Sequence, residues 1–365
     1  MDARGVGRSE PRLSCPQFDG VLPPTAPWTD RVAQQRLLQA SCREHLTETG
    51  ADLDGYDTVE TAADFVALRR TLGVDRWVLR GSSYAGRLAR EVYRQDPDAV
   101  EAMVLFSPLT TAPLGPAHSV EWFDLVVERI TAACDAEPTC AGLGDFATNL
   151  ATGAARLDAS PFSLPDGGVI DGGVIYGGLV QALYRVELTP LLPAIAAQLA
   201  AGDTSILSAM AGALNPPPPD DERDVPSDLV FNVVFCADEG AALTDNDRAV
   251  LADPGPWTDA IGPGWFNCDV WGVDPVPGGR LEPAAGDVPV LVVSGWLDPA
   301  TPPEFADEVV AGFPHTTTLI VPAGGHSSGI FVDCTRLLSV AFVLDSTGEL
   351  DTSCVDDLPQ PFSEP

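Results

Sequence analysis

The chain of 365 residues contains no lysine, so all 20 of its basic residues are arginines. Against them stand 53 acidic residues, which gives a formal net charge of −33 at pH 7. A surface of this sign repels the phosphate groups of nucleic acids and of anionic lipids. We therefore expect neither nucleic acid nor a membrane surface as a partner.

Long apolar runs are also missing. No stretch reaches the roughly 18 consecutive apolar residues that suggest a transmembrane helix. Residues 1–9 show no apolar segment of the kind found in secretory signal peptides. With 45% apolar and 20% charged residues, the composition is typical of a soluble globular protein.

Histidine is scarce, and no two cysteines form a C-x-x-C pair. With four histidines in all, the ligand pattern of a zinc site is missing, and we expect no metal and no other cofactor. The cysteines are even in number and lie in neighbouring pairs, which indicates disulfides formed in an oxidising compartment. Their connectivity stays open, because many pairings are possible. They are Cys15, Cys42, Cys134, Cys140, Cys236, Cys268, Cys334 and Cys354.

The segment around Ser83 has the pattern of a strand, a tight turn and a helix. Residues 77–79 form a short apolar run, residues 81–86 (Gly-Ser-Ser-Tyr-Ala-Gly) suit a tight turn, and helical periodicity follows. A serine at the sharpest point of such a turn is typical of a nucleophile elbow. Its hydroxyl would stand above the sheet, with the amide of Tyr84 and the helix N-terminus placed to stabilise negative charge.

The match to the pattern G-x-S-x-G is incomplete, because Ala85 stands at its last position and Gly86 follows one step later. Short patterns of this kind also arise by chance. The alternative is a turn that uses glycine and serine for backbone reasons alone. The choice between a nucleophile elbow and an ordinary turn therefore depends on other segments of the chain.

The order of the predicted elements divides the chain into three parts. Residues 1–109 and 229–365 contain apolar strands that alternate with helices, which indicates an α/β fold with a parallel sheet. Residues 110–228 show helical periodicity without a clear alternation of strands and helices and end in a proline-rich polar stretch, and we interpret them as a mostly helical insertion over the core. Predicted helices cover residues 29–48, 57–72, 119–133, 143–156, 174–200, 204–214 and 335–345, predicted strands cover 77–79, 102–106, 288–295 and 316–321, and residues 229–280 look irregular.

Acyl transfer by a serine needs a base that removes the hydroxyl proton and a carboxylate that orients the base. The sequence offers Ser83, Asp298 and His326 in this order, each just past the end of a predicted strand, where sites of parallel sheets lie. The other histidines fall within a helix, at the opening of the insertion and at the start of a strand; they are His45, His118 and His315.

Each member of this set also has a plainer explanation. A single histidine in a loop is usually solvated, and Asp298 followed by Pro299 suits an ordinary turn. Three such residues in the expected order, each at a strand end, favour the catalytic interpretation.

These segments together resemble the secreted tripeptidyl-aminopeptidase-like α/β-hydrolases, which are relatives of prolyl aminopeptidase. The resemblance extends over residues 2–9, from Cys42 to about Pro108, and over residues 229–354. Its motifs are Gly-Ser-Ser-Tyr-Ala-Gly (81–86), Leu-Asp-Pro-Ala-Thr-Pro-Pro (297–303) and Gly-Gly-His (324–326), with Cys334 and Cys354 flanking the last helix.

The resemblance implies that Ser83 is the nucleophile, Asp298 the acid and His326 the base, and that the insertion is a lid over the substrate. It also implies release of short peptides or single residues from free N-termini. An acidic group must then hold the substrate ammonium, and Asp238 or Glu239 is the candidate. The alternative for these two residues is a solvated acidic turn.

Two further expectations come from the same resemblance. Cys236 would pair with Cys268 and Cys334 with Cys354, and the protein would be extracellular or bound to the cell envelope, although this chain shows no signal peptide.

The N-terminal part departs from the family pattern. Asp-x-Arg-Gly-x-Gly-x-Ser starts at residue 2 here, whereas in the family it follows several strands and a glycine-rich loop that donates the second oxyanion-hole amide. Loss of one such donor typically costs about 10²–10³ in rate. We therefore expect an incomplete chain, with a parallel sheet that is incomplete at its N-terminal side and an open edge at the strand before Ser83.

The favoured interpretation is a serine hydrolase of the aminopeptidase type that forms an acyl-enzyme on Ser83 and acts on short peptides. A carboxylesterase acting on small esters or amides at the same triad is the alternative among enzymes. A truncated, catalytically impaired relative is the alternative from a different class of protein.

Overall fold

The computed structural model describes residues 2–15, 22–164, 167–208, 228–279 and 281–362. Its strands are β1 (Trp77–Ser82), β2 (Val100–Phe106), β3 (Phe162–Ser163), β4 (Val169–Ile170), β5 (Val290–Gly295) and β6 (Thr316–Val321).

The main sheet is parallel, with strand order β1-β2-β5-β6, whereas β3 and β4 form a separate antiparallel pair. The predicted α/β-hydrolase type of fold with a parallel sheet is confirmed. β2 and β5 are buried along almost their whole length, because elements pack on both faces of the sheet. Burial on both faces explains why their sequences are nearly continuous apolar runs.

Helices make up most of the remaining structure. In chain order they are α1 (Trp28–Glu48), α2 (Thr58–Thr71), α3 (Tyr84–Gln95), α4 (Pro116–Ala136), α5 (Pro138–Ala141), α6 (Phe146–Ala159), α7 (Gly172–Ala182), α8 (Leu192–Ala201), α9 (Asp228–Asp238), α10 (Asp245–Ala252), α11 (Thr258–Ile261), α12 (Cys268–Trp271), α13 (Ala306–Gly312) and α14 (Asp333–Leu344). Within the described residues, none of them combines the length and the apolarity needed to cross a membrane.

The predicted helices agree best with the structure where the sequence carries a clear start or stop. α1 and α2 lie close to the predicted ranges 29–48 and 57–72. The Asp57 side chain caps α2 by accepting a hydrogen bond from the Glu60 amide at 2.6 Å. Such a cap satisfies one of the amides that the first helical turn leaves without a partner.

The single helix predicted for residues 174–200 is wrong. α7 ends at Ala182 and α8 begins at Leu192, with a turn between them. Pro190 lies in that turn, and Pro193 lies in the first turn of α8. Proline lacks the amide hydrogen that a helix interior requires, so one continuous helix cannot run through both positions without losing hydrogen bonds. Of the helix predicted for residues 204–214, residues 209–214 lie outside the described residues, as does the proline-rich stretch.

The irregular structure expected for residues 229–280 is also wrong, because α9 to α12 lie there. α9 is apolar on most sides and therefore shows no amphipathic period that a sequence pattern could reveal. α10 begins with a capping box, in which the side chains of Thr244 and Asp247 each accept a hydrogen bond from the other's amide.

The two faces of the sheet pack against different helices. On one face, Met103 and Leu105 of β2 lie in an apolar cluster with residues of α2, α3 and α13. On the other face, Val104 and Phe106 lie in a cluster with Leu338 and Phe342 of α14. This division follows from the alternation of side chains along a strand.

A third apolar cluster lies outside the sheet and joins distant parts of the chain. It combines residues of α1, of α4, of α6 to α8 and of α9 to α12, together with Leu297, the neighbour of Asp298. The division into residues 1–109, 110–228 and 229–365 stays a prediction, and this cluster draws on all three parts.

Four disulfides join cysteines that are neighbours in the sequence. The two pairs implied by the resemblance, Cys236–Cys268 and Cys334–Cys354, are confirmed. The remaining pairs are Cys15–Cys42 and Cys134–Cys140.

β1 lies at one margin of the sheet and, among the described residues, pairs with β2 alone. The expectation of an open edge at the strand before Ser83 therefore holds for the described part of the chain.

Candidate active site

Ser83 lies in the tight turn between β1 and α3. Its backbone has φ 57° and ψ −125°, a conformation that side chains larger than hydrogen rarely adopt. The turn is held by hydrogen bonds from the Ser83 amide to the Phe106 carbonyl and from the Gly86 amide to the Ser83 carbonyl, both 2.9 Å. A strained serine at the end of a strand is the geometry of a nucleophile elbow.

Two glycines make this turn possible. A Cβ atom at Gly81 would collide with the carbonyl oxygen of Ala85, and one at Gly86 would lie 2.9 Å from the Cβ atom of Pro108. Ala85 itself is exposed, so its methyl group meets no such obstacle. The departure from G-x-S-x-G is therefore sterically harmless.

Asp298 and His326 are in direct contact. The Nδ1 atom of His326 lies 3.0 Å from each carboxylate oxygen of Asp298, and both residues are buried. With the hydrogen on Nδ1, the ring donates to the carboxylate and leaves Nε2 as a proton acceptor, as a catalytic base requires.

The Asp298 carboxylate is fully surrounded by hydrogen-bond donors. It accepts from the amides of Ala300 and Thr301 at 2.9 and 2.8 Å and from the Thr301 hydroxyl at 3.0 Å. Hydrogen bonds of this kind fix the orientation of a buried carboxylate.

Thr301 is a residue of the candidate site that the sequence analysis does not single out. Its hydroxyl oxygen lies between the two proposed catalytic groups, 3.0 Å from Asp298 Oδ2 and 3.1 Å from His326 Nδ1. The signal was present in Asp-Pro-Ala-Thr-Pro-Pro, where a threonine three residues after an aspartate is placed to bond its carboxylate.

A second contact missed from the sequence links His326 to the 110–228 segment. The His326 amide donates a hydrogen bond to the Leu183 carbonyl at 2.8 Å, and the Tyr184 ring lies 4.5 Å from the imidazole. No sequence signal reveals this contact, because it joins segments far apart in the chain.

Asp238 and Glu239 are buried, so the interpretation of a solvated acidic turn is wrong. They lie at the C-terminal end of α9, next to the Cys236–Cys268 disulfide, and are covered by other elements. Glu239 pairs with Arg87 of α3 and accepts a hydrogen bond from the Leu114 amide at 2.6 Å. The pair ties α9 to the helix that follows Ser83.

Asp238 binds the N-terminal end of α2. It accepts hydrogen bonds from the Thr58 amide at 3.1 Å and from the Thr58 hydroxyl at 2.6 Å. Burial raises the pKa of Asp238 to about 6, although the Thr58 hydrogen bonds and Arg87 favour the charged form. Both acidic residues are thus engaged inside the protein, and their contact with a substrate ammonium stays a prediction.

Tyr84 belongs to the same polar chain. Its hydroxyl lies 2.8 Å from the Thr58 hydroxyl, and burial, with the charge of Asp238 nearby, raises the pKa of Tyr84. Because Thr58 donates to Asp238, Tyr84 donates to Thr58. As the first residue of α3, Tyr84 carries one of the amides that have no acceptor within the helix, which suits its predicted oxyanion role.

The predicted residues thus fall into two groups. In the first group, Asp298 contacts His326 directly. The loops that carry Ser83 and His326 also meet, because the hydroxyl oxygens of their neighbours Ser82 and Ser327 lie 2.6 Å apart. Asp238 and Glu239 contact α2 and α3. Within the part of the chain that the structure describes, no three histidine, cysteine or acidic side chains are arranged to hold a metal ion.

Comparison with protein families agrees with this geometry. Residues 1–162 match a family model described as the alpha/beta hydrolase fold. Residues 256–354 match a second model, described as TAP-like protein. The chain therefore has the α/β-hydrolase fold.

Within that class, two curated relatives are the tripeptidyl aminopeptidases of Streptomyces lividans and Streptomyces coelicolor, each 26% identical over 358 residues. These alignments cover 90% of this chain, which spans 64% of the length of either relative. The chain is thus similar to these tripeptidyl aminopeptidases over most of its length and to the TAP-like family over residues 256–354.

A solved structure of proline iminopeptidase from Mycobacterium smegmatis is also similar. It is 16% identical with a TM-score of 0.37, and the alignment covers 81% of this chain and 74% of that one. This likeness is too slight to support a conclusion about activity.

Proposed function

We propose that the protein is a serine hydrolase that cleaves peptide or amide bonds near free N-termini through an acyl-enzyme on Ser83. The observation that carries the proposal is the hydrogen-bonded pair of Asp298 and His326 at the carboxyl edge of the sheet whose first strand ends at the Ser83 turn. The chain order of serine, acid and histidine is the one that α/β-hydrolases use.

In the first half of the reaction, His326 Nε2 removes the proton from Ser83 Oγ as that oxygen attacks the substrate carbonyl carbon. The negative carbonyl oxygen of the tetrahedral intermediate accepts a hydrogen bond from the Tyr84 amide. The imidazolium, stabilised by Asp298, then gives its proton to the leaving amine as the C–N bond breaks. The product amine leaves, and the acyl group remains on Ser83.

In the second half, water replaces the amine. His326 removes a proton from a water molecule, whose oxygen attacks the ester carbonyl of the acyl-enzyme. Collapse of the second tetrahedral intermediate breaks the bond to Ser83 Oγ, which regains its proton from His326. A carboxylic acid is released, and the enzyme returns to its starting state.

The preference for free N-termini is supported by the names of the two relatives, which are tripeptidyl aminopeptidases. An acidic group is needed to hold the substrate ammonium, and Asp238 and Glu239 remain the residues proposed for it. The proposal for Asp238 is supported by its hydrogen-bonded link through the Thr58 hydroxyl to Tyr84, the residue that follows Ser83.

We further propose that residues 110–228 act as a lid and that the protein works outside the cell or at the cell envelope. The lid is supported by the contacts of Leu183 and Tyr184 with His326. The location is supported by the four disulfides, which form and persist in oxidising compartments.

The proposal is tested first with a fluorophosphonate probe, which labels an activated serine. The wild-type chain should be labelled, Ser83→Ala should not be, and His326→Gln should be labelled far more slowly. Ser328→Ala is the matched control, because it removes a nearby buried hydroxyl, and it should be labelled at the wild-type rate. Absence of labelling in the wild-type chain would refute a serine hydrolase.

A panel of substrates then tests which type of bond is cleaved and whether a free N-terminus is required. Peptide p-nitroanilides with free N-termini should be cleaved faster than the same peptides with blocked N-termini. Faster turnover of p-nitrophenyl esters, with no discrimination between free and blocked peptides, would indicate a carboxylesterase instead.

A further inference from the structure

One hydrogen bond joins the two loops that carry the proposed nucleophile and base. The hydroxyl oxygens of Ser82 and Ser327 lie 2.6 Å apart, and either can donate. Ser82 directly precedes Ser83, and Ser327 directly follows His326. The bond therefore connects the immediate neighbours of the two reacting groups.

A third serine extends this connection to β2. The Ser327 amide donates a hydrogen bond to the Ser107 hydroxyl at 3.1 Å. Ser107 follows the last residue of β2, is buried, and donates from its own amide to the Val293 carbonyl of β5 at 2.7 Å. The loop that follows β6 is thus tied to the ends of β1 and β2.

The strand order shows why such a tie is needed. β1 and β6 lie at opposite margins of the sheet, with β2 and β5 between them. At a spacing of about 4.8 Å per strand, their ends are roughly 14 Å apart. The loop that carries His326 must therefore extend past the ends of β5 and β2. Gly324 and Gly325 directly precede His326, and glycines leave the backbone of this loop free to adopt many conformations.

The backbone of the serines also departs from ordinary conformations. Ser327 has φ 57° and ψ 12°, and Ser107 has φ 45°. Residues other than glycine adopt positive φ rarely, and where they do, surrounding contacts hold them there. The Ser327 bonds to Ser82 and Ser107 supply contacts of this kind.

We propose that the hydroxyls of Ser82, Ser107 and Ser327 form a bridge that fixes the spacing between Ser83 Oγ and the His326 imidazole. These serines are positioning residues, since they act through their neighbours and do not touch the substrate. The inference rests on the proposed function. Proton transfer between the two groups requires a separation of about 2.6–3.2 Å, and a misplacement of about 1 Å can lower the rate about 100-fold.

Ser327→Gly tests the bridge with the least disturbance of the backbone. Glycine adopts φ 57° without strain and lacks the hydroxyl, so the variant removes the bond and keeps the loop conformation accessible. We expect the rate of Ser83 labelling by the fluorophosphonate and kcat for a peptide p-nitroanilide to fall at least about tenfold, with KM within about twofold of wild type.

Two further variants separate the hydroxyl from other effects. Ser327→Asn, which tolerates positive φ and offers polar side-chain atoms, should recover part of the activity. Ser328→Ala is the matched control, because the Ser328 hydroxyl is buried in the same loop without a hydrogen-bond partner in the described structure, and its kcat should stay at the wild-type value. The double variant Ser82→Ala/Ser327→Gly should be no slower than the slower of its two single variants. Each substitution by itself already removes the hydrogen bond between the two hydroxyls.

The outcomes are distinct. Wild-type rates in Ser327→Gly, with normal labelling of the wild-type chain, would overturn the bridge and leave the proposed function intact. Equal losses in Ser327→Gly and Ser328→Ala would also overturn it, because a general disturbance of the loop would then explain both. A wild-type chain that is not labelled would overturn the proposed function and, with it, a catalytic role for the bridge.

Discussion

The backbone amide of His326 donates a hydrogen bond to the carbonyl oxygen of Leu183 at 2.8 Å. Leu183 lies just after α7, within the segment proposed as a lid, and its neighbour Tyr184 packs its ring against the imidazole. The proposed base is therefore held partly by the loop after β6 and partly by the segment proposed as a lid. If that segment moves, we expect the orientation of the His326 imidazole to change with it.

The Tyr184 ring should matter more than its hydroxyl, because the ring contacts His326. An aromatic contact of this kind contributes about 0.5–1.5 kcal/mol. We expect Tyr184→Ala to lower kcat/KM for a peptide p-nitroanilide about tenfold and Tyr184→Phe to stay near the wild-type value. Equal losses in the two variants would show that the hydroxyl, and not the ring, is required.

The Thr301 hydroxyl should hold the Asp298 carboxylate in the orientation that faces His326. A hydrogen bond to a charged group contributes about 1.5–3 kcal/mol, so Thr301→Val, which keeps the shape and loses the hydroxyl, should lower kcat at least about tenfold. Thr301→Ser keeps the hydroxyl and should retain most of the activity. Steady-state kinetics with both variants checks this, and an active Thr301→Val enzyme would contradict it.

The buried ion pair of Arg87 and Glu239 should be important for stability. Glu239→Gln leaves the Arg87 guanidinium buried without its counter-charge, and breaking a buried pair in this way costs about 3–5 kcal/mol. Denaturant unfolding measures this loss. Glu187→Gln is the matched control, because Glu187 pairs with Arg185 at an exposed position, and its effect should stay within about 0.5 kcal/mol.

The raised pKa of Asp238 predicts a pH-dependent stability. Because the folded chain binds this proton more tightly than the unfolded chain, the group contributes its full stability below pH 3.8, and the contribution is lost as the pH rises through about 6. At about 1.4 kcal/mol per pKa unit, the loss amounts to roughly 3 kcal/mol.

Asp238→Asn cannot titrate at this position and provides the comparison. The stability of the wild type relative to this variant should fall as the pH rises from 4 to 7. Unfolding of both proteins at several pH values measures the difference. A difference that stays constant over this range would contradict the assignment.

Sequence patterns located the residues of the candidate site that follow local signals. Gly81 to Gly86 show the elbow turn because strand, turn and helix signals lie side by side, and the contact between Asp298 and His326 follows from their positions at adjacent strand ends. Their catalytic roles remain predictions. The disulfides Cys236–Cys268 and Cys334–Cys354 were implied by the family resemblance and are confirmed.

The contacts that were missed depend on segments far apart in the chain. Nothing near Leu183 in the sequence indicates that it meets His326, and nothing near Ser327 indicates Ser82. α9 escaped detection because an apolar helix buried on most sides has no polar face. A solvated turn was the alternative for Asp238 because the chain is acidic throughout, and composition cannot show which carboxylates are buried.

The order of the strands has one more consequence. The proposed nucleophile follows β1 and the proposed base follows β6, so the reacting groups come from the two outermost strands of the main sheet, whereas the acid follows the inner strand β5. Local unfolding of β1 or of β6 would separate Ser83 from His326 while β2 and β5 stay ordered. We therefore expect loss of activity on heating or in denaturant to precede global unfolding.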